Sequence, residues 1–427
     1  MSPTVNQSDS ALALLKVKGF PLVLLSTFMA FLGWSMLLAV IPVDMLDAGY
    51  GETLAGLATG VFMLATVITQ AFVPRVLRGL GYVPVLVGGA LLLGVPSVLY
   101  LIDGGSTMVL AVSAIRGVGF GAVTVAQSAL LAELVPPKKL GRANAFFGAA
   151  IGLAEIIGFS VGLPLYSSAG NVVYIIATVC GLIGAVGATG VPKLKAAVAS
   201  VVRTGDAGGE VHVPLWKLAL VPVVGLCTAA MGFGAFSSFT APSVGEIDQG
   251  AAATLAGITL AVIGAGQMLG RTISGWWSDR VGEPGHVVVW ASLFCAGGMA
   301  GMTLLLQVRP EGAVLVMAVL AVAAVFGLGF GAVQSETLLM MFARMPKERV
   351  SEASAVWNMS FDTGTGAGSS VLGVTASSTG YGGAFLVGAG LVSIGTVTLA
   401  GDRVMGKHRV AEHDNIRTRL RQLRSGQ

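Results

Sequence analysis

The segment Gly117-Val-Gly-Phe-Gly-Ala-Val123 returns 210 residues further along the chain as Gly327-Leu-Gly-Phe-Gly-Ala-Val333. No gap follows, since Pro136 then corresponds to Pro346 at the same shift. An ungapped match of this length favours an internal repeat over chance similarity between glycine-rich segments. The chain is therefore predicted to contain two related halves that run in the same order and orientation.

A second set of matches lies upstream of the first. Leu54-Ala-Gly56 corresponds to Leu255-Ala-Gly257, and Gly81 corresponds to Gly282, both at a shift of 201. Parallel repeats of six membrane spans are a transporter architecture, with the binding site at the repeat interface near the midplane of the membrane.

The composition is that of a polytopic membrane protein. Of the 427 residues, 54% are hydrophobic and 11% are charged, and the mean hydropathy is +0.83. Soluble domains carry about 25% charged residues and disordered chains have low hydrophobicity, so both classes are excluded. Because one span needs about 20 residues, the length predicts twelve spans, at 20–43, 53–74, 83–102, 107–134, 141–166, 171–191, 214–240, 252–276, 286–307, 312–341, 349–378 and 382–402.

The basic residues predict how these spans are oriented. Nearly all of the 25 Lys and Arg fall on the side of the two termini, and Arg116 is the one that we place within a span. The positive-inside rule then makes both termini cytoplasmic, in a multi-pass protein of the cytoplasmic (inner) membrane. This distribution also argues against a nucleic-acid partner, despite the net charge of +4.

The longest connection between spans divides the chain into its two halves. It is basic at first and then glycine-rich. We predict an N-terminal six-helix bundle at 1–191, a cytoplasmic linker at 192–213, a C-terminal six-helix bundle at 214–402 and a basic cytoplasmic tail at 403–427. The fold class is an all-α membrane protein with twelve transmembrane helices in two pseudo-symmetric bundles.

The loop between spans 8 and 9 carries the clearest motif. Gly275-Trp-Trp-Ser-Asp279-Arg280-Val-Gly282 resembles the G-x-x-x-D-R-x-G signature of the major facilitator superfamily. The equivalent loop of the first half, Pro74-Arg-Val-Leu-Arg78-Gly-Leu-Gly81, has an arginine in place of the aspartate. Arg116 precedes a run of glycines, which resembles the R-x-x-x-G motif of the family. Gly158-x-x-x-Gly162, with a proline nearby, partly resembles its antiporter motif.

The resemblance covers essentially the whole chain. It implies the twelve-helix fold of the superfamily and a carrier without a cofactor, not an enzyme. It also implies a monomer in the lipid bilayer that binds protons and a small-molecule substrate. A gating role is implied for Gly275, Asp279, Arg280 and Gly282, in which Asp279 accepts hydrogen bonds at a helix N-terminus and locks the outward-open state.

Charged residues deep within spans are the candidates for proton coupling, because such a charge costs about 2.5–3.5 kcal/mol on insertion scales. Arg116 and Glu155 lie at similar depth in consecutive spans, so we expect contact, as a permanent ion pair or as a proton-sensitive one. Asp362 has no basic residue at its depth, and an unpaired buried aspartate tends to take up a proton. It is therefore a proton carrier, a ligand for a cationic substrate, or a group hydrogen-bonded to its polar neighbours. Glu336 and Glu133 lie nearer the span ends and are expected at the membrane interface.

Midspan aromatic, Met and Asn side chains are the candidates for substrate binding. An aromatic and methionine-rich cavity suits apolar or amphipathic ligands, although each of these side chains also suits a core or lipid-facing position. The candidates are Phe28, Trp34, Phe62, Met63, Phe159, Phe233, Phe236, Trp357 and Asn358.

Together these features predict a proton-coupled secondary active transporter with alternating access, which exports a small amphipathic or drug-like molecule by antiport. A proton symporter that imports a nutrient such as a sugar or an organic anion is the alternative. A third hypothesis is a receptor or scaffold that has this fold but does not transport. No G-x-x-x-x-G-K-[ST] segment is present, which argues against ATP-driven transport by this chain alone. The four histidines lie in loops, at a span edge or in the tail, which disfavours a membrane-embedded enzyme.

Overall fold

A computed structural model describes residues 11–49, 51–102, 104–195, 215–346 and 349–405. These residues form long helices without β-strands. The helices are α1 (Phe20–Asp47), α2 (Gly51–Leu80), α3 (Tyr82–Gly94, continued by a 3-10 helix at Val95–Leu101), α4 (Gly105–Leu134), α5 (Leu140–Ala169), α6 (Val172–Thr189), α7 (Leu215–Gly245), α8 (Ala252–Val281), α9 (Val288–Val308), α10 (Gly312–Arg344) and a last helical stretch, Val350–Met405. Most of the predicted linker and tail lies outside the described residues.

The last helical stretch contains two spans. Its 56 residues are more than twice the roughly 20 that one crossing needs. Gly380 interrupts the stretch with φ 75° and ψ 172°, a backbone conformation that is essentially restricted to glycine. We therefore number its two parts α11 (350–379) and α12 (381–405). Eleven stretches of the described chain are long and apolar enough to cross a membrane, and counting the last one twice confirms the predicted twelve spans.

The helices form two bundles with separate aromatic contacts and an apolar outer surface. In the C-terminal bundle, Phe236 packs between Phe326 and Phe385, with ring centroids 4.7 and 5.2 Å apart. Lipid-facing positions are apolar, and Val186 and Val404 are 71% and 80% exposed. Exposed valines of this kind have a favourable environment in lipid, which agrees with the membrane-spanning lengths of the helices.

The two ends of the molecule differ in charge. The end where α2, α4, α8 and α10 finish and α5 and α11 begin is here called the basic end, and it carries Arg78, Arg280 and Arg344. The other end, where α1 and α7 finish, is here called the acidic end, and it carries Asp44 and Glu246.

Two helix pairs form the largest contacts between the bundles, α2 with α11 and α5 with α8. The repeat shift of 201 maps α2 onto α8, and the shift of 210 maps α5 onto α11. The two interfaces are therefore equivalent by pseudo-symmetry. The backbones approach closely at Gly141 and Gly275, where a Cβ on either residue would overlap the carbonyl oxygen of the other. Small residues permit such close contact between membrane helices.

Candidate transport site and gate

The hydrogen bonds between the bundles lie in the half of the molecule next to the basic end. Asn144 of α5 donates to Ser335 of α10 at 3.0 Å, and Ser354 of α11 donates to the Val125 carbonyl of α4 at 2.9 Å. In the repeat, Asn144 corresponds to Ser354 and Val125 corresponds to Ser335. These two contacts between the bundles are therefore equivalent by pseudo-symmetry. In the described part of the chain, no hydrogen bond joins the bundles in the half next to the acidic end. The basic end is therefore closed in this conformation.

Asp279 joins α8 to the start of α5 at the basic end. Its carboxylate accepts hydrogen bonds from the backbone N–H of Gly141 at 2.8 Å and of Arg142 at 2.9 Å. The Arg142 side chain adds an ion pair, with Nε 3.5 Å from the carboxylate. The first N–H groups of a helix have no partner within it and favour an anion, so the carboxylate completes the helix start of the other bundle. This is the contact that the motif resemblance implies.

The interface between α2 and α11 contains an ion pair at the position that corresponds to Asp279 and Arg142, but with the acidic and basic residues exchanged between the two helices. Arg78 of α2 corresponds to Asp279, and Glu352 of α11 corresponds to Arg142. The Arg78 Nη1 lies 3.2 Å from Glu352 Oε1, and Arg349 also pairs with Glu352 at 2.8 Å. The arginine that replaces the signature aspartate in the first half is thus matched by an acid on the opposing helix. The sequence did not predict this contact, because Glu352 lies 274 residues away from Arg78 along the chain.

The other predicted gating residues have local roles. Gly275 lies against Gly141 at the helix crossing. Gly282 ends α8 in the left-handed conformation with φ 77°, which favours glycine. Arg280 is exposed and its guanidinium lies 5.3 Å from the ring centre of Trp276 on the same helix. The structure therefore places Arg280 on the outside of α8 in this conformation, and its gating role stays a prediction.

Asp362 lies in the interface between α2 and α11. It is buried and accepts a hydrogen bond from Gln70 Nε2 at 2.6 Å. The same amide nitrogen lies 3.2 Å from Thr124 Oγ1 of α4. The partner of Asp362 is therefore an amide of the other bundle. The alternative of bonding to its polar helix neighbours is not seen: Ser360 and Thr365 donate to their own helix backbone.

Glu155 faces the equivalent interface, between α5 and α8. It is buried, and the likewise buried Arg271 of α8 lies in the same interface and lends it a positive charge nearby, without a direct ion pair. The Arg271 side chain crosses over Gly148 of α5 and donates a hydrogen bond to Gln334 of α10. Gln334 in turn donates to Gln267 at 2.9 Å.

The repeat relates these two polar clusters residue by residue. Gln70 corresponds to Arg271 and Thr124 corresponds to Gln334, and one embedded acid from α5 or α11 faces each pair. Asp362 is offset from the counterpart of Glu155 by about one helical turn. Each interface thus presents a buried carboxyl group to a hydrogen-bond donor at the same position of the opposing helix.

The predicted contact between Arg116 and Glu155 is wrong. Arg116 Nε donates to the Leu93 carbonyl at 3.1 Å, and its guanidinium lies 5.8 Å from the ring centres of Phe62 and Tyr100. Equal depth in consecutive spans did not place the two side chains on facing surfaces, because Arg116 points into its own bundle. The prediction of a single embedded basic residue is also wrong, since Arg271 is buried about two-thirds of the way along α8. By sequence, its position near the end of the predicted span 252–276 groups it with the basic residues on the side of the termini.

The candidate substrate residues of the first half lie close to one another. Trp34 stacks on Phe120 with ring centres 4.9 Å apart, and Phe62 and Phe159 lie in ring contact with this pair. Trp34, Phe62 and Arg116 line a narrow cleft of about 20 Å³ within the N-terminal bundle. Phe120 at its base was not predicted, although it lies within the repeated segment. Two other candidates, Phe28 and Met63, are half-buried and pack against the core.

The candidates of the second half occupy other places. Phe236 is fully buried in the aromatic core of its bundle, so its side chain does not line a cavity in this conformation. Phe233 is half-buried and stacks on Phe330 at 5.3 Å. Trp357 donates to Thr337 at 3.1 Å, and Asn358 donates to Ser128 of the other bundle at 3.2 Å. These two side chains belong to the closed region of the basic end in this conformation, and their role in substrate binding stays a prediction.

Glu336 is fully buried within the protein, eight residues before the end of α10 at the basic end, and its predicted place at the membrane interface stays a prediction. It accepts hydrogen bonds from Ser274, Ser278 and the backbone N–H of Gly285. It therefore ties α10 to α8 and to the loop that follows the signature. The sequence showed its depth in the span but not the donors around it. Glu133, at the end of α4, accepts a hydrogen bond from the Tyr82 hydroxyl at 3.4 Å.

Comparison with known proteins agrees with this architecture. The family model described as Major Facilitator Superfamily matches residues 23–335 and 223–426. The chain belongs to the major facilitator superfamily, and it is a membrane transporter and not an enzyme.

Solved structures share its fold at low sequence identity. The fucose:proton symporter of E. coli has a TM-score of 0.69 and 17% identity, over 90% of this chain and 98% of that one. A bacterial homologue of the iron transporter ferroportin, in an outward-facing state, has a TM-score of 0.69 and 13% identity, over 91% of this chain and all of that one. At such identities the similarity shows the fold alone.

Proposed function

We propose that the protein is a proton-coupled secondary transporter whose two bundles rock about the clusters of Asp362 and Glu155. The observation that carries this proposal is the bond between Asp362 and Gln70, a buried carboxyl group held across an interface between the bundles. An alternating-access cycle must separate this interface when the basic end opens. The burial of the Asp362 carboxyl group and its hydrogen bond to Gln70 then change with the conformation of the transporter.

The physical basis of the coupling is the difference between a charged and a neutral carboxyl group. Burying an ionised carboxylate costs far more than burying the neutral acid, and one amide hydrogen bond offsets only part of that cost. A proton bound to Asp362 therefore favours the closed basic end. Glu155 sits in the equivalent interface beside Arg271, which supplies the compensating charge there. The two equivalent sites therefore differ in chemistry. Glu155 has a positive charge nearby, and Asp362 has only the neutral amide of Gln70.

We further propose that the basic end faces the cytoplasm, in the inner membrane of a bacterium-like cell, and that the transporter is a monomer. The charge difference between the two ends supports this orientation through the positive-inside rule. The closed basic end then corresponds to an outward-open state. The bundle, linker and tail boundaries at 1–191, 192–213, 214–402 and 403–427 remain part of this proposal.

The proposed direction is export of a small amphipathic or drug-like compound by proton antiport. The aromatic residues around the cleft of the N-terminal bundle support an amphipathic substrate. The second candidate is proton symport of a nutrient such as an organic anion. One observation favours it: Arg116 is 2% exposed in the same cleft and forms no ion pair within the described part of the chain.

Transport in proteoliposomes with an imposed pH gradient and a trapped pH dye tests the proposal. A panel of cationic, neutral and anionic compounds is added to the wild type, Glu155→Gln and Asp362→Asn. Glu246→Gln is the matched control, because Glu246 is a 45% exposed acid at the acidic end. We expect proton flux with substrate in the wild type and the control, and its loss in both buried variants.

The sign of the flux separates the two candidates. Proton movement opposite to the substrate supports antiport, and movement with the substrate supports symport. Undiminished flux in both Asp362→Asn and Glu155→Gln would contradict the coupling role of these acids.

A further inference from the structure

We propose that a groove between α1 and α6 binds an anionic phospholipid, with one acyl chain in the groove and the phosphate beside Lys18 and Lys193. The groove has a volume of about 400 Å³ and lies on the outer surface of the N-terminal bundle. It is lined by Leu22, Leu25, Leu182, Ile183, Val186, Gly187, Thr189 and Gly190. The inference depends neither on the transported substrate nor on proton coupling.

The groove is apolar and faces the lipid. Leu182, Ile183 and Val186 are 44%, 39% and 71% exposed, at the three- and four-residue spacing of one helix face. Gly187 forms the floor, where the absence of a side chain leaves space beside Leu25. A Cβ added there would lie 3.6 Å from Leu25, an ordinary contact distance. A flexible hydrocarbon chain suits this surface, because it covers the apolar walls and the floor together.

The length of the groove matches one leaflet of the membrane. From Leu182 to Gly190 it extends about 12 Å along α6 at about 1.5 Å per residue. Half of a hydrocarbon core about 30 Å thick is about 15 Å. The groove finishes at the basic end, where α1 begins and α6 ends. An acyl chain that lies along it therefore brings its headgroup to the ends of these two helices.

Two lysines from separate segments lie at this polar end of the groove. The turn before α1 touches the chain that leaves α6, since a Cβ on Gly19 would overlap the ring of Pro192. Lys18 and Lys193 are the sequence neighbours of these two contact residues, and both are exposed. Neither lysine forms an ion pair within the described part of the chain. Their ammonium groups are thus available to a phosphate at headgroup depth.

The segment that carries Lys18 is held against the bundle. Leu14 is 1% exposed and packs in the core of the N-terminal bundle, and the exposed Lys16 follows it. Lysines near the membrane surface strengthen the attraction to anionic lipids by about fivefold each. A zwitterionic headgroup carries its own ammonium and gains less from them. The groove therefore supplies affinity for the acyl chain, and the lysines select the headgroup.

Native mass spectrometry of the purified full-length protein tests the inference. The probes are phosphatidylglycerol and phosphatidylcholine with identical acyl chains, titrated in the same detergent. We expect phosphatidylglycerol to bind about tenfold more tightly or better, from the two lysines together. Equal affinity of the two lipids would overturn the inference. A dimer that excludes lipid would overturn it as well, because a second copy of the chain would then cover the groove.

Variants assign the binding to the lysines and to the groove. Lys18→Gln and Lys193→Gln should each weaken phosphatidylglycerol binding about fivefold and leave phosphatidylcholine unchanged. Lys217→Gln, at an exposed lysine where α7 begins at the same end, is the matched control. Gly187→Leu fills the floor and should weaken both lipids about fourfold or more, the equivalent of one displaced CH₂ group. Gly297→Leu, on an exposed face of α9 where an added Cβ meets nothing within 4 Å, is its control.

A phosphatidylglycerol with a photoreactive group in its acyl chain locates the site. Labelling is expected within residues 22–25 and 182–190, and it should fall in the folded double variant with Lys18→Gln and Lys193→Gln. Labelling confined to the C-terminal bundle would overturn the placement, and unchanged selectivity in the double variant would overturn the role of the lysines. These measurements need no transport, so a failure of proton coupling leaves their outcome unaffected.

Discussion

Reversing the charge of Arg78 should shift the transporter away from the state with a closed basic end. Arg78 Nη1 lies 3.2 Å from Glu352 Oε1, and the two side chains are 27% and 22% exposed. At this distance the Coulomb energy is about 5 kcal/mol for an effective dielectric constant of about 20. Desolvation, side-chain ordering and screening leave about 0.2–1 kcal/mol of attraction. The reversed charge adds a repulsion of similar size, so the total change is about 0.4–2 kcal/mol. Arg78→Glu is therefore expected to change the ratio of the two conformations about 2–30-fold.

The assay is the distribution of distances between spin labels at the acidic end. Ala48→Cys and Gln249→Cys place one label on each bundle at exposed positions, in a background without the native cysteines. Opening of the basic end should bring the two labels together, so Arg78→Glu should raise the short-distance population.

Two further variants show whether the ion pair is the cause. The double variant with Arg78→Glu and Glu352→Arg should restore most of the long-distance population. Restoration is expected to be incomplete, because Arg349 also pairs with Glu352. Arg75→Glu makes the same change of charge at an exposed position of α2 that forms no ion pair with any described residue, and it should leave the distribution unchanged. An equal effect of Arg75→Glu and Arg78→Glu, or no restoration in the double variant, would refute the reasoning.

Three other substitutions test features of the fold. Gly141→Ala should reduce transport by separating α5 from α8, since the added Cβ would overlap the carbonyl oxygen of Gly275; normal transport by this variant would show that the crossing tolerates a side chain. Glu336→Gln should lower the free energy of unfolding by about 1–3 kcal/mol, measured by thermal unfolding in detergent. The Gly285 N–H now donates to a carboxylate oxygen; in the variant it faces either the amide NH₂ group, which cannot accept, or the amide oxygen, which is a weaker acceptor. Glu311→Gln, at an exposed acid, is its control, and equal stability of the two variants would contradict a structural role for Glu336. Gly380→Ala should destabilise the turn between α11 and α12 by about 1–3 kcal/mol, because its φ of 75° strains other residues; an unchanged unfolding temperature would contradict this conformation.

The sequence was sufficient for the helices and for part of the gate. Apolar runs separate at positions where the chain must turn, so the boundary between the last two spans was predicted close to Gly380. The repeat set the order of the helices and therefore which helices are equivalent. Asp279 was identified because its motif places an acid at a helix end, and its donors, the first N–H groups of α5, are present in any helix.

The side-chain partners across the interfaces were not predictable in the same way. Contact between Arg78 and Glu352 depends on how two helices 274 residues apart in sequence are packed. Arg271 was missed because it precedes the signature by one helical turn and was counted with the cytoplasmic charges. The repeat contained a signal for it, since Arg271 is the counterpart of Gln70. Depth along a span predicted contact between Arg116 and Glu155, but the direction in which each side chain points depends on helix rotation within the bundle.

The most direct test of proton coupling compares exchange with accumulation in one variant. Asp362→Asn removes the titratable group and keeps a side chain that bonds to Gln70. The account predicts that this variant in proteoliposomes still exchanges labelled for unlabelled substrate, because the bundles still rock. It also predicts that a pH gradient no longer drives the substrate against its concentration gradient. Accumulation as strong as that of the wild type would contradict the role of Asp362.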